Sequence, residues 1–145
     1  MATSFVFARN YAQNPSPGKH SVALDANVNG ELGNMIVQVA GYAQVPAAAN
    51  AVTGHMAGIV IEPADNTGGA QGALSVTVDS FTAAFANSGV NPCAQIHVGL
   101  TVYASNGVTI SSNSADGPPA GKLIGFNPSD VQGRPCLVAL NCFTS

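Results

Sequence analysis

Along the chain, apolar and polar positions alternate in short runs, and each run is closed by Gly, Pro or Asn. Strict alternation places every second side chain on one face, the signature of a half-buried strand. The run "ALSVTVDSF" is the plainest case, with Leu74, Val76 and Val78 facing inward and Ser75, Thr77 and Asp79 outward. "CAQIHVGLTVYA" reads the same way, with Ala94, Ile96, Val98, Leu100 and Val102 on one face and Gln95, His97, Thr101 and Tyr103 on the other. "HMAGIVIEP" is continuously apolar up to Pro63, the pattern of a strand covered on both sides. Further strands are expected at "HSVAL", "NMIVQVAGYAQV", "KLIGF" and "PCLVALN", with Val37 and Val39 on one face and Gly41 marking a bulge or bend. "PAAANAVTG", "ADNTGGAQG", "SSNSADGPPAG" and "NPSDVQGR" read as connections, the first with room for one helical turn. "FTAAFANSGV" is ambiguous, and no amphipathic helix of ten or more residues emerges.

The stretch "GLTVYASNGVTIS" carries a reversal at Asn106-Gly107, a strong hairpin signal. A two-residue loop there would pair Ser105 with Val108 and mix polar and apolar groups on each face. A three-residue loop, Ser105 to Gly107 with Gly107 left-handed, pairs Ala104 with Val108 and Val102 with Ile110. That register gathers Leu100, Val102, Ala104, Val108 and Ile110 on one face, and it is the one expected, because a one-residue slip inverts every side chain.

Many short strands with this punctuation predict an all-β fold, a small antiparallel barrel or sandwich spanning 21–145 as one domain. Residues 1–20 read instead as an extended N-terminal arm: Phe5, Phe7 and Tyr11 are separated by polar residues, and "NPSPG" stops regular structure. The start lacks a basic leader and a sustained apolar segment, so no secretory signal is expected, and no run approaches the roughly 20 apolar residues of a membrane span.

Composition sharpens the question of function. Of 145 residues only 8% are charged, against about 25% in an ordinary soluble domain. Asn, Ser, Thr and Gln fill about a quarter of the chain, and four basic residues at net charge −3 cannot build a phosphate-binding stripe. Nucleic acid is therefore not an expected partner. A polar but nearly chargeless surface suits contact with other protein, whose interface centres are depleted of charge, or an extracellular β-domain. Cys93, Cys136 and Cys142 form no C-x-x-C pair. On one strand Cys136 and Cys142 would lie about 20 Å apart, beyond the ~7 Å of a disulfide, so buried free thiols and a reducing cytoplasm are expected.

Candidate chemistry is sparse. His20, His55 and His97 fall in different elements without metal-ligand spacing. Glu62, Asp65, Asp79, Asp116 and Asp130 could in principle supply a carboxylate pair for glycoside hydrolysis, but no Trp and three Tyr leave little to stack on sugar rings. "PADNTGG" has one carboxylate where a calcium loop alternates several, and reads as a turn. No nucleophile elbow or phosphate-cradling glycine loop occurs. The expectation is a protein that is not an enzyme, with no catalytic residue, metal or cofactor.

Residues 30–142 resemble the head decoration, or capsid cement, proteins of tailed bacteriophages. The likeness is carried by "GHMAGIVIEPADN" at 54–66, "VGLTVYASNGVTIS" at 98–111, "GKLIGF" at 121–126 and "GRPCLVAL" at 133–140, with "MIVQVAGYAQVPAAANAV" in the place of the family's opening strands. The cysteines and the Gly/Ala-rich segment 67–90 depart from that pattern. The resemblance implies a structural virion protein, made in the host cytoplasm, that binds the capsid exterior, often as a homotrimer, and stabilises the lattice of the major capsid protein. On that reading Phe5, Phe7 and Tyr11 would anchor the arm to the capsid, and His97 and Tyr103 would lie at a subunit contact. The alternatives are a carbohydrate-binding or adhesin-like β-domain of a tail or surface protein, and, further off, a small enzyme.

Overall fold

The computed structural model describes residues 19–140, and the fold is all-β. In chain order the strands are β1 (His20–Ala23), β2 (Asn29–Gly30), β3 (Met35–Val39), β4 (Tyr42–Gln44), β5 (His55–Glu62), β6 (Ala64–Asp65), β7 (Ser75–Asp79), β8 (Thr82–Asn87), β9 (Thr101–Ala104), β10 (Thr109–Ser111), β11 (Pro119–Phe126) and β12 (Cys136–Leu140). Single 3-10 turns occupy Ala48–Asn50 and Gln95–His97. β2 and β6 pair only with each other.

The first half forms a five-stranded antiparallel sheet in the order β1-β7-β5-β3-β4. A two-residue turn joins β3 to β4, with Val39 opposite Tyr42 and both Ala40 (φ 52°) and Gly41 (φ 89°) left-handed. Positive φ at both central residues matches the twist of paired strands. Gly41 is therefore a hairpin corner and not the bulge or bend of one long strand. β5 carries two irregularities, opposite Ile36–Val37 and opposite β7 near Val60–Glu62. Extra residues bend a strand, and the sheet curls until its edges meet at an isolated bridge between Leu24 and Ala43, backed by Asp25 N–H donating to the Ala43 carbonyl at 3.0 Å. Inside this curl sit Val22, Leu24, Ile36, Ala43, Ala57, Val60, Val76 and Val78.

The second half closes a five-stranded barrel in the order β10-β8-β12-β11-β9. Its ladders are antiparallel except β10 with β8, which is parallel. Phe85, Val102, Ala104, Ile110, Leu123, Cys136 and Val138 fill its core, and Met35, Val37, Met56 and Ile59 enter the same cluster from the sheet. The expectation that "HMAGIVIEP" is covered on both sides thus has a concrete basis. Ala57 and Val60 belong to one core, Met56 and Ile59 to the other, and β5 is the wall between them.

The hairpin from Gly99 to Ser111 keeps part of its inward face but not its register. Ile110 pairs with Ala104, and the carbonyl of Thr109 accepts from Ser105 N–H at 3.0 Å, so the loop is Asn106 to Val108. The cause is tertiary. The Gly107 carbonyl accepts from Met35 N–H at 2.7 Å, and a Cβ at Gly107 would come within 2.7 Å of the Asn34 side chain. Gly107 is needed for that close approach and is not left-handed. Val108 turns away to accept from Ala86 N–H at 3.0 Å, opening the parallel ladder. A shift of two residues preserves parity, so Val102, Ala104 and Ile110 stay buried, whereas Val108 falls in the loop and Leu100 ahead of β9, and both are exposed. Ser111, expected on the outer face, is fully buried.

Two other alternations break. Leu74 precedes β7 and is exposed, while Val76 and Val78 are inward as expected. Residues 94–100 do not extend β9. Ala94 N–H donates to His97 Nδ1 at 2.8 Å across a 3-10 turn, Gly99 is left-handed, and Ile96 is 80% exposed. The ambiguous segment at Phe81–Val90 contains β8, at the heart of the barrel.

Candidate functional site

The chemistry-bearing residues are dispersed. His20 and His55 open different strands, His97 caps its own 3-10 turn, and among the described residues no three His, Cys, Asp or Glu side chains gather as metal ligands do. The carboxylates tie separate pieces of loop. Asp65 accepts from Thr67 N–H at 3.0 Å and from its hydroxyl, the turn expected of "PADNTGG". Glu62 accepts from Thr77 Oγ1 at 2.7 Å across the sheet. Asp79 accepts from Ser80 N–H at 2.8 Å. Asp116 accepts from the buried Ser111 hydroxyl at 2.6 Å and from Asn91 Nδ2 at 2.8 Å, which pins the 112–118 connection to β10. Asp25, which the sequence did not single out, accepts from Gln44 Nε2 at 2.7 Å, Gln71 Nε2 at 3.0 Å and Ala26 N–H at 2.8 Å.

These hydrogen bonds favour the ionised form. Gln44 first, then Ala26 and Gln71, hold the Asp25 carboxyl below the ordinary carboxylate range. Thr67 does so for Asp65, and Ser111 followed by Asn91 for Asp116. A general acid or base needs a pKa moved toward the working pH. Asp25, Asp65 and Asp116 are displaced in the opposite direction, and each ties a loop to a neighbouring strand or turn.

Exposed apolar side chains also line a groove. A groove of about 560 Å³ lies between β8, the Leu32–Asn34 turn that leads into β3, and the 130–134 loop. Its walls are mainly apolar: Leu32 (65% exposed), Phe81, Ala84 and Val108 stand open to solvent, while Asp130 and Arg134 supply the charge. Asp130 organises its own loop by accepting from Gln132 N–H at 3.1 Å and Arg134 N–H at 2.9 Å. The apolar surface continues around the barrel, because Ala84 pairs with Leu137 and Leu137 pairs with Gly125 beside Ile124. Leu137 and Ile124 are both exposed. Together these side chains form a continuous exposed apolar face, with Asp130 and Arg134 at the groove. The sequence had placed Leu100 and Val108 in the core and had left Phe81 ambiguous; their outward aspect depends on the shifted hairpin and on the chain entering β8.

Tyr103 sits on β9, half-buried, opposite Ser111. His97 belongs to the turn preceding β9, so the two do not share one strand face as the alternation suggested. Phe5, Phe7 and Tyr11 lie outside the described residues, as does Cys142. Cys93 and Cys136 are buried free thiols. Among the described residues no helix is long and apolar enough to cross a membrane. Comparison with protein-family models, curated proteins and solved structures gives no match to this chain.

Proposed function

We propose that this chain is a structural virion protein, a cement or decoration protein that binds the exterior of a tailed-phage capsid and stabilises the lattice of the major capsid protein. The observation that carries this reading is the exposed apolar groove and the stripe continuing from it across β12 and β11, on a chain with 8% charged residues. Buried against a protein lattice, such a surface contributes roughly 25 cal/mol per Å² of apolar area. A ligand that binds only the assembled lattice stabilises it in proportion to the logarithm of its concentration over its dissociation constant. Assembly as a trimer would multiply modest single contacts through avidity. The aromatic arm of Phe5, Phe7 and Tyr11 adds anchors of the residue types that dominate interface energetics, and Tyr103 and His97 are the proposed subunit contact.

The test is co-sedimentation of the full chain with mature shells of the phage that encodes it. The expected outcome is saturable binding at a fixed ratio to the capsid protein, weakened at least roughly tenfold by the double variant Phe81→Asp, Leu32→Asp with no change in its own melting temperature. A chain that stays in the supernatant at all concentrations overturns the reading. Reproducible glycan binding without shell binding would point instead to a carbohydrate-recognition domain.

A further inference from the structure

The barrel interior contains two thiols that the docking reading leaves unused. Cys136 lies on β12 opposite Phe85 of β8, and both side chains are buried in the barrel core. Two residues beyond Phe85, Asn87 folds its side chain over the following loop: its Oδ1 accepts from Cys93 N–H at 2.7 Å, and its Nδ2 donates to the Cys93 carbonyl at 3.0 Å. This clamp turns residue 93 back over the end of the barrel, where Cys93 is 3% exposed and belongs to the same cluster as Cys136. Each cysteine acts on the ionisation of the other, which places their side chains as neighbours in that cluster. Residues 43 apart in sequence are thus held in one buried cluster by a side-chain brace and a strand ladder.

We infer that Cys93 and Cys136 form a latent oxidation site, in which a small peroxide converts the dithiol to a disulfide that fastens the 88–94 loop to β12. The hydrogen bond from Cys136 lowers the Cys93 pKa against the opposing effect of burial. The same bond, with burial and the neighbouring sulfur, raises that of Cys136. Cys93, on the loop side of the pair, is the thiol that attacks. Its sulfur takes one oxygen of the peroxide as the O–O bond breaks, giving a sulfenic acid and one water. The Cys136 sulfur then displaces the hydroxyl, forming the S–S bond and releasing a second water. Two electrons pass from the sulfurs to the peroxide, and both thiol protons leave in water. Burial restricts the oxidant: with Cys93 3% exposed and Cys136 fully buried, a small peroxide has less to cross than a disulfide as bulky as oxidised glutathione. The closed covalent loop holds β9, β10 and β11, three of the five barrel strands, and so removes disorder from the unfolded chain.

The inference does not depend on the capsid reading. Its test is titration of the full-length Cys142→Ser chain with hydrogen peroxide, followed by non-reducing peptide mapping and thermal melting, with the unsubstituted chain mapped in parallel. The expected result is a Cys93–Cys136 linked peptide, near-complete loss of alkylatable thiol after unfolding, and a raised melting temperature that returns to its starting value with dithiothreitol. Oxidised glutathione at equal concentration should give the same link far more slowly. Thiols that stay free, a Cys93 sulfinic acid in place of the link, or disulfide-linked dimers each overturn the inference.

Discussion

At the scale of single residues, local backbone preference and tertiary demand pull against each other at a few positions. Ala40 is one. Its φ of 52° lies in the left-handed region, where a Cβ crowds the following carbonyl at about 1–2 kcal/mol, and the two-residue corner of β3 and β4 requires it there. Ala40→Gly should accordingly stabilise the protein, by about 0.5–1 kcal/mol after allowing for the extra freedom of glycine in the unfolded chain. Denaturant titration would show a higher midpoint at unchanged slope, and a lower midpoint would mean that Ala40 makes contacts outweighing its strain. Gly107 is the opposite case. A hairpin signal such as Asn-Gly suggests a glycine chosen for its torsion angles, whereas this one is chosen for the space taken by Asn34.

At the scale of elements, alternation was legible in several strands flanked on both sides within one sheet. Val76 and Val78, the run from Met56 to Val60, and Val102, Ala104 and Ile110 are buried as their spacing indicates. It misled where a loop forms bonds to something distant in sequence. Residues 94–100 alternate as well as any strand, yet Gly99 N–H donates to the Leu123 carbonyl at 2.7 Å and the 3-10 turn before it leaves Ile96 outside. The groove was illegible for the same reason, since Leu32, Phe81 and Val108 come from three separate connections. Register irregularities were equally hidden, although they shape the barrel. β11 shifts register near Pro119–Gly121 and again near Leu123–Gly125. Gly121, at φ 157°, brings the Ala139 carbonyl oxygen within 2.0 Å of where a Cβ would stand. Gly121→Ala should therefore cost about 2 kcal/mol or more, because backbone and not a yielding side chain blocks it. A melting temperature within a degree or so of the original would show that β11 can relax away from β12.

At the scale of the whole molecule, the proposed division of labour is between a folded body and an arm. Removing residues 1–14 should leave the melting temperature of the free protein unchanged and weaken binding to the shell by roughly tenfold or more. A sharp fall in melting temperature would assign Phe5, Phe7 and Tyr11 to the body's own core. The body itself admits no such dissection. Because β5 lends Ala57 and Val60 to one core and Met56 and Ile59 to the other, unzipping either half strips the other of a wall. The two halves must then melt in a single cooperative step, with the β5 amides protected from solvent exchange until the entire body opens. In a body built on a party wall, strain at one end is felt at the other.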